Sequence, residues 1–512
     1  MKRIIILSMI ASAIFISSCN EDTINLNPVV DTEAIYFQNE AQMDAAVFGI
    51  YQKVCFFYSS RSVTPCIQAV SMLPSDDLCI AANNALANFS SLSAENSLLA
   101  SYYQYAYQLI ARANTVLQKI EMNGDFAYRS KPEQKNWNIG EALFLRAYMY
   151  LNLWNVFGTA PLATERVMNL DNAYLSNSTG TQLLDQAIID LEEAAKLLPD
   201  SWPAAHKGRL VRNAAFGLRG KCLVFRGTVN KTNADFLAAI ADFNAISGVS
   251  LTSTYAENFE ITSENNEESL YEYQANDNTN DTNPNQPLGN DAYAVIGEIG
   301  HYTGMFDRRP SGNNGYFSAT SLIKNAYDDG DPRQLYNINM EANTPSNAPV
   351  NVMKYIRNTA YAKGADASGV SINNPRTFRY ADVLLLKAEA IVRSGGSLSD
   401  ATGLINQIRA RARNSAEGGA PSAVPADRDV SETDRNTVLE WVFQERRLEL
   451  AFEEGHRWWD LRRRHIAGEI DLKTHDFGSI DLGFKFEDYN VNFPFPSREV
   501  VDNPNMNQNV GY

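Results

Sequence analysis

Cysteine and histidine are scarce, with five of each in 512 residues. No CxxC pair and no HExxH occurs, so zinc chemistry has no recognisable scaffold here. GxSxG, P-loop and GxGxxG sequences are absent as well, and with them the usual motif-borne hydrolase and nucleotide sites. Positive charge is in deficit: 44 Lys and Arg stand against 60 Asp and Glu, a formal net charge of -16. Recognition of a phosphate backbone needs clustered cations, so nucleic acid is not an expected partner. Beyond the N-terminus no apolar run approaches the roughly 20 residues of a spanning helix.

What the chain does hold is apolar material for a large core, 45% hydrophobic and 11% aromatic. Lys2 and Arg3 precede an apolar run from Ile4 to Ile16, the layout of a signal peptide. Ile16-Ser17-Ser18-Cys19 resembles the bacterial lipobox, whose cysteine takes lipid and becomes the mature N-terminus. Asn20-Glu21-Asp22 resembles the acidic tag that sends Bacteroides-group lipoproteins to the outer face of the outer membrane. Of the other cysteines, Cys55, Cys66 and Cys79 lie close enough in sequence to bridge in an oxidising compartment. Together with Cys222 they also fit buried free thiols, since cysteine packs as a small hydrophobe.

Helical periodicity dominates the first half. Met43, Ala46, Val47, Ile50, Tyr51 and Val54 describe one buried face, and Leu98, Tyr102, Leu109, Ala113, Val116 and Ile120 another. Ser130-Lys131-Pro132-Glu133 reads as a capping box opening a helix that Gly158 and Pro161 stop. Helices follow at 183–198, at 210–225 closed by Gly227, and at 236–246. Short polar turns between long helices imply tetratricopeptide-like hairpins, without a clean 34-residue period. From residue 249 to about 375 the chain turns irregular, with strand-like stretches at 270–274 and 352–356. Helices return at 379–393, 400–413 and 434–454 before an extended tail. The expected organisation is signal peptide 1–18, tether 19–30, helical scaffold 31–248, irregular insertion 249–375, and C-terminal helices with tail 376–512.

Asp277, Thr279 and Asp281 mimic the opening of a calcium loop, but Thr282 and Leu288 occupy the glycine and glutamate positions, leaving a solvated loop. His456 and His465 have no neighbouring ligand residues and read as structural; no metal or cofactor is expected. A helical glycosidase would need two facing carboxylates, and nothing singles out a pair. The segment from Glu445 to Arg463 interleaves Arg with Trp458 and Trp459, yet its spacing predicts an internally neutralised helix packed on the core and closed by Gly455.

That segment strongly resembles the C-terminal signature of the SusD/RagB family of Bacteroidetes outer-membrane lipoproteins. In the same order, Phe144-Leu145-Arg146-Ala147-Tyr148 with Phe157-Gly158-Thr159-Ala160-Pro161-Leu162, Asp331-Pro332-Arg333, and Arg379-Tyr380-Ala381-Asp382-Val383-Leu384-Leu385-Leu386 with Ala388-Glu389-Ala390 resemble other family stretches. So does the tail from Phe493-Pro494-Phe495-Pro496 to Gln508-Asn509-Val510-Gly511-Tyr512. The resemblance implies a mainly α, SusD-like fold with tetratricopeptide-like hairpins, an irregular ligand-binding part and a few short strands. It implies a lipid-anchored protein at the outer membrane, facing the cell exterior as the lid of a SusC-type TonB-dependent transporter. Such proteins capture glycans, or peptides in some branches, and have no catalytic role.

Sugar rings stack their C–H faces on aromatic rings while Asn, Asp and Arg bind the hydroxyls. In the insertion, Tyr293, Tyr302 and Tyr316 are the expected platform, with Phe306, Arg308 and Asn313 beside them; Phe317, Arg309 and Asn314 are neighbours. Half or more of these aromatics would instead pack the loop onto the scaffold. All six tryptophans (Trp137, Trp154, Trp202, Trp441, Trp458 and Trp459) fall outside the insertion, and only Trp202, in a loop between helices, is expected within reach of a ligand. That points to a tyrosine-based site, a shallow site or a non-glycan ligand. Replacing Cys19 with Ala should release the protein from the membrane fraction on cell lysis; a variant that still sediments with membranes contradicts the lipid anchor.

Overall fold

The computed structural model describes residues 36–58, 68–80, 84–274, 318–338, 350–355, 373–478 and 485–512, together with residues 33, 307–308, 313–314 and 340. Its long helices are α1 (Glu40–Tyr58), α2 (Ser97–Ala127), α3 (Pro132–Phe157), α4 (Gln182–Leu197), α5 (Arg212–Asn230) and α6 (Asn233–Ala245), followed by α7 (Tyr380–Arg393), α8 (Leu398–Arg413), α9 (Arg435–Glu449) and α10 (His456–Ile466). Side chains cap several of them: Asn96 accepts from Leu98 and Leu99, Ser397 from Asp400, and Asp434 from Asn436 and Thr437.

Each helix from α1 to α6 packs on the next, α6 packs on α7, and α7 carries α8 and α9. Connections of two residues (Lys231–Thr232) and four (Tyr128–Lys131) leave room only for a return in the opposite direction. This is the stacked-hairpin architecture expected of the sequence. A second apolar cluster, with Leu384, Leu385, Ile405, Ile408, Val438 and Val442, joins α7, α8 and α9. Strands are few and short: β1 (Leu78–Cys79), β2 (Ser269–Tyr271), β3 (Asp307–Arg308), β4 (Asn313–Asn314), β5 (Ser318–Ala319), β6 (Val350–Asn351) and β7 (Phe378–Arg379).

Three local expectations are corrected. The capping box at Ser130 does not form, because Lys131 is the residue before the first helical turn and Ser130 lies one position too early; its hydroxyl donates to Glu40 instead (2.8 Å). Gly227 does not end its helix, which runs on to Asn230. The missing Cβ lets α6 approach, since a methyl group there would stand 2.9 Å from the Phe236 ring. The helix expected over 434–454 and closed by Gly455 stops at Glu449: a turn carries residues 450–455, and a separate helix, α10, starts at His456.

That break follows from where the charges go. Most are neutralised by other segments, although Arg463 also meets Asp460 of its own helix (2.8 Å). Arg379 donates to Glu453 (2.7 Å), Glu268 (2.7 Å) and Glu449 (2.6 Å), all buried. Arg411 also holds Glu268 (2.8 Å) and Glu449; Arg333 holds Asp331 and Glu445 (2.6 Å); Arg409 holds Glu445 (2.8 Å); Lys354 holds Glu453 (2.5 Å). Five buried cations thus face five buried carboxylates. A second closed set sets Lys221, Arg446 and Arg463 against Asp382, Asp460 and Glu389. Burial and the nearby Lys221 charge hold His456 neutral, well below its ordinary pKa, and its Nδ1 lies 3.1 Å from the Lys221 ammonium.

Truncating one member of such a network leaves buried charge uncompensated, at a cost of about 3–5 kcal/mol. Arg379→Met should therefore lower unfolding free energy by about that much in urea denaturation, and Arg379→Lys by less. A loss near zero for the Met variant would mean that the remaining charges re-pair.

Candidate ligand-binding site

The insertion is anchored to the scaffold where the structure describes it. β5 lies between β1 and β6, with Leu78 opposite Ala319 and Ser318 opposite Asn351. Just beyond β5 the Thr320 amide donates to the Asp77 carbonyl (2.9 Å) and its hydroxyl to that of Asp76 (2.6 Å). The carboxylates of the same two aspartates reach the C-terminal helices. Arg457 grips Asp76 with two bonds (2.7 and 2.8 Å), Arg447 donates to Asp77 (2.7 Å), and His475 lies 3.1 Å from Asp76. Burial alone would raise Asp76, but Arg457 and Arg447 overcome it and hold this carboxyl well below the usual range. Burial wins at Asp77 and pushes it up.

At the other edge, β2 pairs with β7 and the chain runs on to Tyr273, whose ring stacks on Tyr58 at 5.4 Å. The Tyr58 hydroxyl donates to Glu454 (2.7 Å) and stands 3.1 Å from the Thr377 hydroxyl, while Tyr148 donates to the second Glu454 oxygen (3.2 Å). Burial dominates at Glu454 and pushes it up to about 8. An aromatic ring, a protonatable carboxyl and two tyrosine hydroxyls are thus packed together beside β2 and β7.

Tyr293, Tyr302, Phe306 and Tyr316 lie outside the described residues, as do Phe317, Arg309, the calcium-like run 277–281 and the lipidation residue Cys19. Arg308 and Asn313 are placed by backbone alone, directly opposite each other in the β3–β4 pair. Trp202 is half-buried on the helical scaffold. It meets Trp137 edge-on at 5.1 Å, has the Arg209 guanidinium 4.0 Å from its ring, and donates its indole N–H to Leu210 (2.8 Å). It closes a helix-to-helix loop rather than the insertion. His465 lies against the Ile470 carbonyl (Nδ1 at 3.2 Å) and accepts from the Leu472 amide, a structural role. Among the described residues no group of three or more His, Cys, Asp and Glu is arranged to hold a metal ion.

Tyr58, Tyr148 and Tyr273 carry no sequence signal as a group: their distance along the chain hides the cluster, although Tyr148 closes the family-like stretch from Phe144 and Glu454 lies in the C-terminal signature. Residues 227–512 match the family model described as the SusD family, and residues 70–224 match one described as starch-binding, associating with outer membrane. A SusD-like protein P38 of Formosa agariphila is 27% identical over 83% of this chain and 82% of its own. Among solved structures, surface glycan-binding protein A of Bacteroides fluxus is similar at a TM-score of 0.73 and 22% identity, covering 93% of this chain and 100% of that one. Surface glycan-binding protein A of Bacteroides thetaiotaomicron, in complex with laminarihexaose, is similar at 0.71 and 19% identity, covering 92% and 99%. These likenesses establish the fold.

Glu454 keeps a proton in the folded state that the unfolded chain releases near pH 4.5, so its contribution to stability is full below that pH and falls as pH rises to about 8. Glu454→Gln should remove this component. In urea titrations the variant should gain on the parent protein from about pH 5 to about pH 8 and hold a constant difference above that. A difference that does not change with pH would place the proton elsewhere.

Proposed function

This chain belongs to the SusD family, and on that premise we propose that it is a cell-surface glycan-binding lipoprotein that passes oligosaccharides to a SusC-type TonB-dependent transporter. The observation that carries the reading is the pair of family matches, one of them described as starch-binding and outer-membrane-associated, which together span residues 70–224 and 227–512. Two structurally similar proteins are named as glycan-binding, and one of them is seen with laminarihexaose. The ligand would lie on the insertion, residues 249–375, with Tyr293, Tyr302 and Tyr316 as platform and Phe306, Arg308 and Asn313 around it. A lipid on Cys19 would hold the protein at the outer membrane, facing the exterior.

A non-catalytic role is supported by the state of the buried carboxylates. Glu268, Glu389, Glu445, Glu449, Glu453, Asp382 and Asp460 are each held by a buried cation, and Glu454 is enclosed by Tyr58 and Tyr148. A carboxylate locked to a guanidinium is poorly placed to protonate a glycosidic oxygen. Peptide capture by the same surface is the second reading, favoured by the lack of tryptophan in residues 249–375.

A thermal-shift screen against laminari- and malto-oligosaccharides and short peptides separates these readings. A ligand at 100 times its Kd adds about 2.7 kcal/mol to native stability. The expected result is a shift confined to one glycan family and lost in Tyr302→Ala with Tyr316→Ala, whose unliganded Tm stays unchanged. A response to peptides alone would move the ligand class, and unchanged glycan affinity in the double variant would move the site off these tyrosines.

A further inference from the structure

A cleft of about 550 Å³ opens on the helical scaffold where the C-terminal end of α5 and the start of α6 face α7, α9 and α10. Its volume falls within the range of ordinary small-molecule sites, about 300–1,000 Å³. Its apolar floor comes from Phe236, Val392 and Leu439, and Asn233 and Asn436 supply amides. Four cations line it against two carboxylates, a local excess of positive charge on a chain whose formal net charge is -16.

The four cations are not equivalent. Arg393 donates to Glu469 (2.6 Å) and to Glu389 (2.7 Å), and Arg464 pairs with Glu440 and Glu469, so these two are neutralised within the wall. Arg435 is held by carbonyl oxygens, donating to Val392 (2.5 Å) and Gly396 (3.3 Å) at the end of α7. That fixes its guanidinium at the lip without cancelling its charge. Lys231 is exposed, and among the described residues neither it nor Arg435 forms an ion pair. Lys231 also occupies a left-handed backbone conformation at the end of α5 (φ 53°), where a side chain with a Cβ costs about 1–2 kcal/mol. A glycine would end the helix at lower cost. The start of α6 beside it has no side-chain cap, and Asp235 in its first turn is paired with Arg226 (2.6 Å).

We propose that this cleft binds a compact sugar acid. The carboxylate would lie between Lys231 and Arg435, the C–H face of the ring would rest toward Phe236 and Leu439, and the hydroxyls would be taken by Asn233, Asn436 and the carboxylates of Glu440 and Glu469. The assignment stands on residues outside the insertion and is independent of the glycan platform described above. A simple anion would satisfy the two cations but not the apolar floor or the amides. A neutral sugar would leave the two cations unused.

Saturation-transfer NMR on the purified protein with D-glucuronate, D-glucose and sodium sulfate tests it, sulfate entering as a competitor. Glucuronate should show transfer from its ring protons and glucose none, and sulfate at equal concentration should not displace glucuronate. Lys231→Gly should weaken glucuronate binding tenfold or more while leaving Tm unchanged or raised, because glycine suits the left-handed position. Arg435→Gln should weaken it similarly. Tyr302→Ala with Tyr316→Ala should leave it intact, so the failure of either site is visible separately. Equal transfer from glucose, full displacement by sulfate, or undiminished binding by Lys231→Gly would each overturn the assignment.

Discussion

The fold depends on burying charge in closed sets. Moving an ionised group into a protein interior costs several kcal/mol, and the cost is recovered only when its partners are placed with good geometry. Here the guanidinium of Arg379 supplies five hydrogen bonds, to Glu268, the side chain and carbonyl of Glu449, and both oxygens of Glu453. Those partners are the residue just before β2, the last residue of α9 and a residue of the turn that follows it, so one side chain ties β7 to two segments far apart in sequence. Arg333, Arg409, Arg411 and Lys354 close the set. The cost of leaving any of these groups alone gives each segment one acceptable position, a specificity that apolar packing alone enforces less sharply.

This explains what the family-like stretches do. Asp331-Pro332-Arg333 supplies one cation and one carboxylate; Arg379, Asp382 and Glu389 bracket and line α7; Glu445, Glu449, Glu453, Asp460 and Arg463 come from the C-terminal helices and their turn. Near the N-terminal helices Arg146 does the same on a smaller scale, with two bonds of 2.8 Å to Asp190. The extended tail is tied down by Asn509, which donates to the carbonyls of Phe157 and Phe493. These stretches are framework.

Helical spacing made the scaffold legible. Met43, Val47, Ile50 and Val54 are buried on α1, and Leu109, Ala113, Val116 and Ile120 on α2, as a 3.6-residue period requires. What spacing could not show is pairing between distant segments. Glu449 and Glu453 sit one turn from Glu445 and Arg446 in sequence, which suggested neutralisation along a single helix. In the folded chain Arg379 and Arg411 take Glu449, and Arg379 and Lys354 take Glu453. The tyrosine cluster around Glu454 joins residues 58, 148 and 454, and no local pattern announces it. The platform proposed on Tyr293, Tyr302 and Tyr316 rests on composition and chemistry alone, because it lies outside the described residues.

The break between α9 and α10 shows how the network overrides helix propensity. A continuous helix would turn Glu453 and Glu454 onto successive positions of one surface, about 100° apart, with Phe452 following the same spiral. Instead Phe452 and Glu454 both adopt left-handed backbone conformations (φ 61° and 48°), each at a cost of about 1–2 kcal/mol for a residue with a Cβ. Glycine would remove that cost but also the side chains: Phe452 is buried in the main core, and Glu454 receives the hydroxyls of Tyr58 and Tyr148. The turn thus sends Glu453 to Arg379 and Lys354 and Glu454 to Tyr58 and Tyr148. At its end Gly455 is demanded by space, since a Cβ there would stand 2.5 Å from the Trp459 ring and 2.8 Å from Ser71. Backbone strain at two residues, Phe452 and Glu454, lets one segment serve both the ion network and the tyrosine cluster beside β2 and β7.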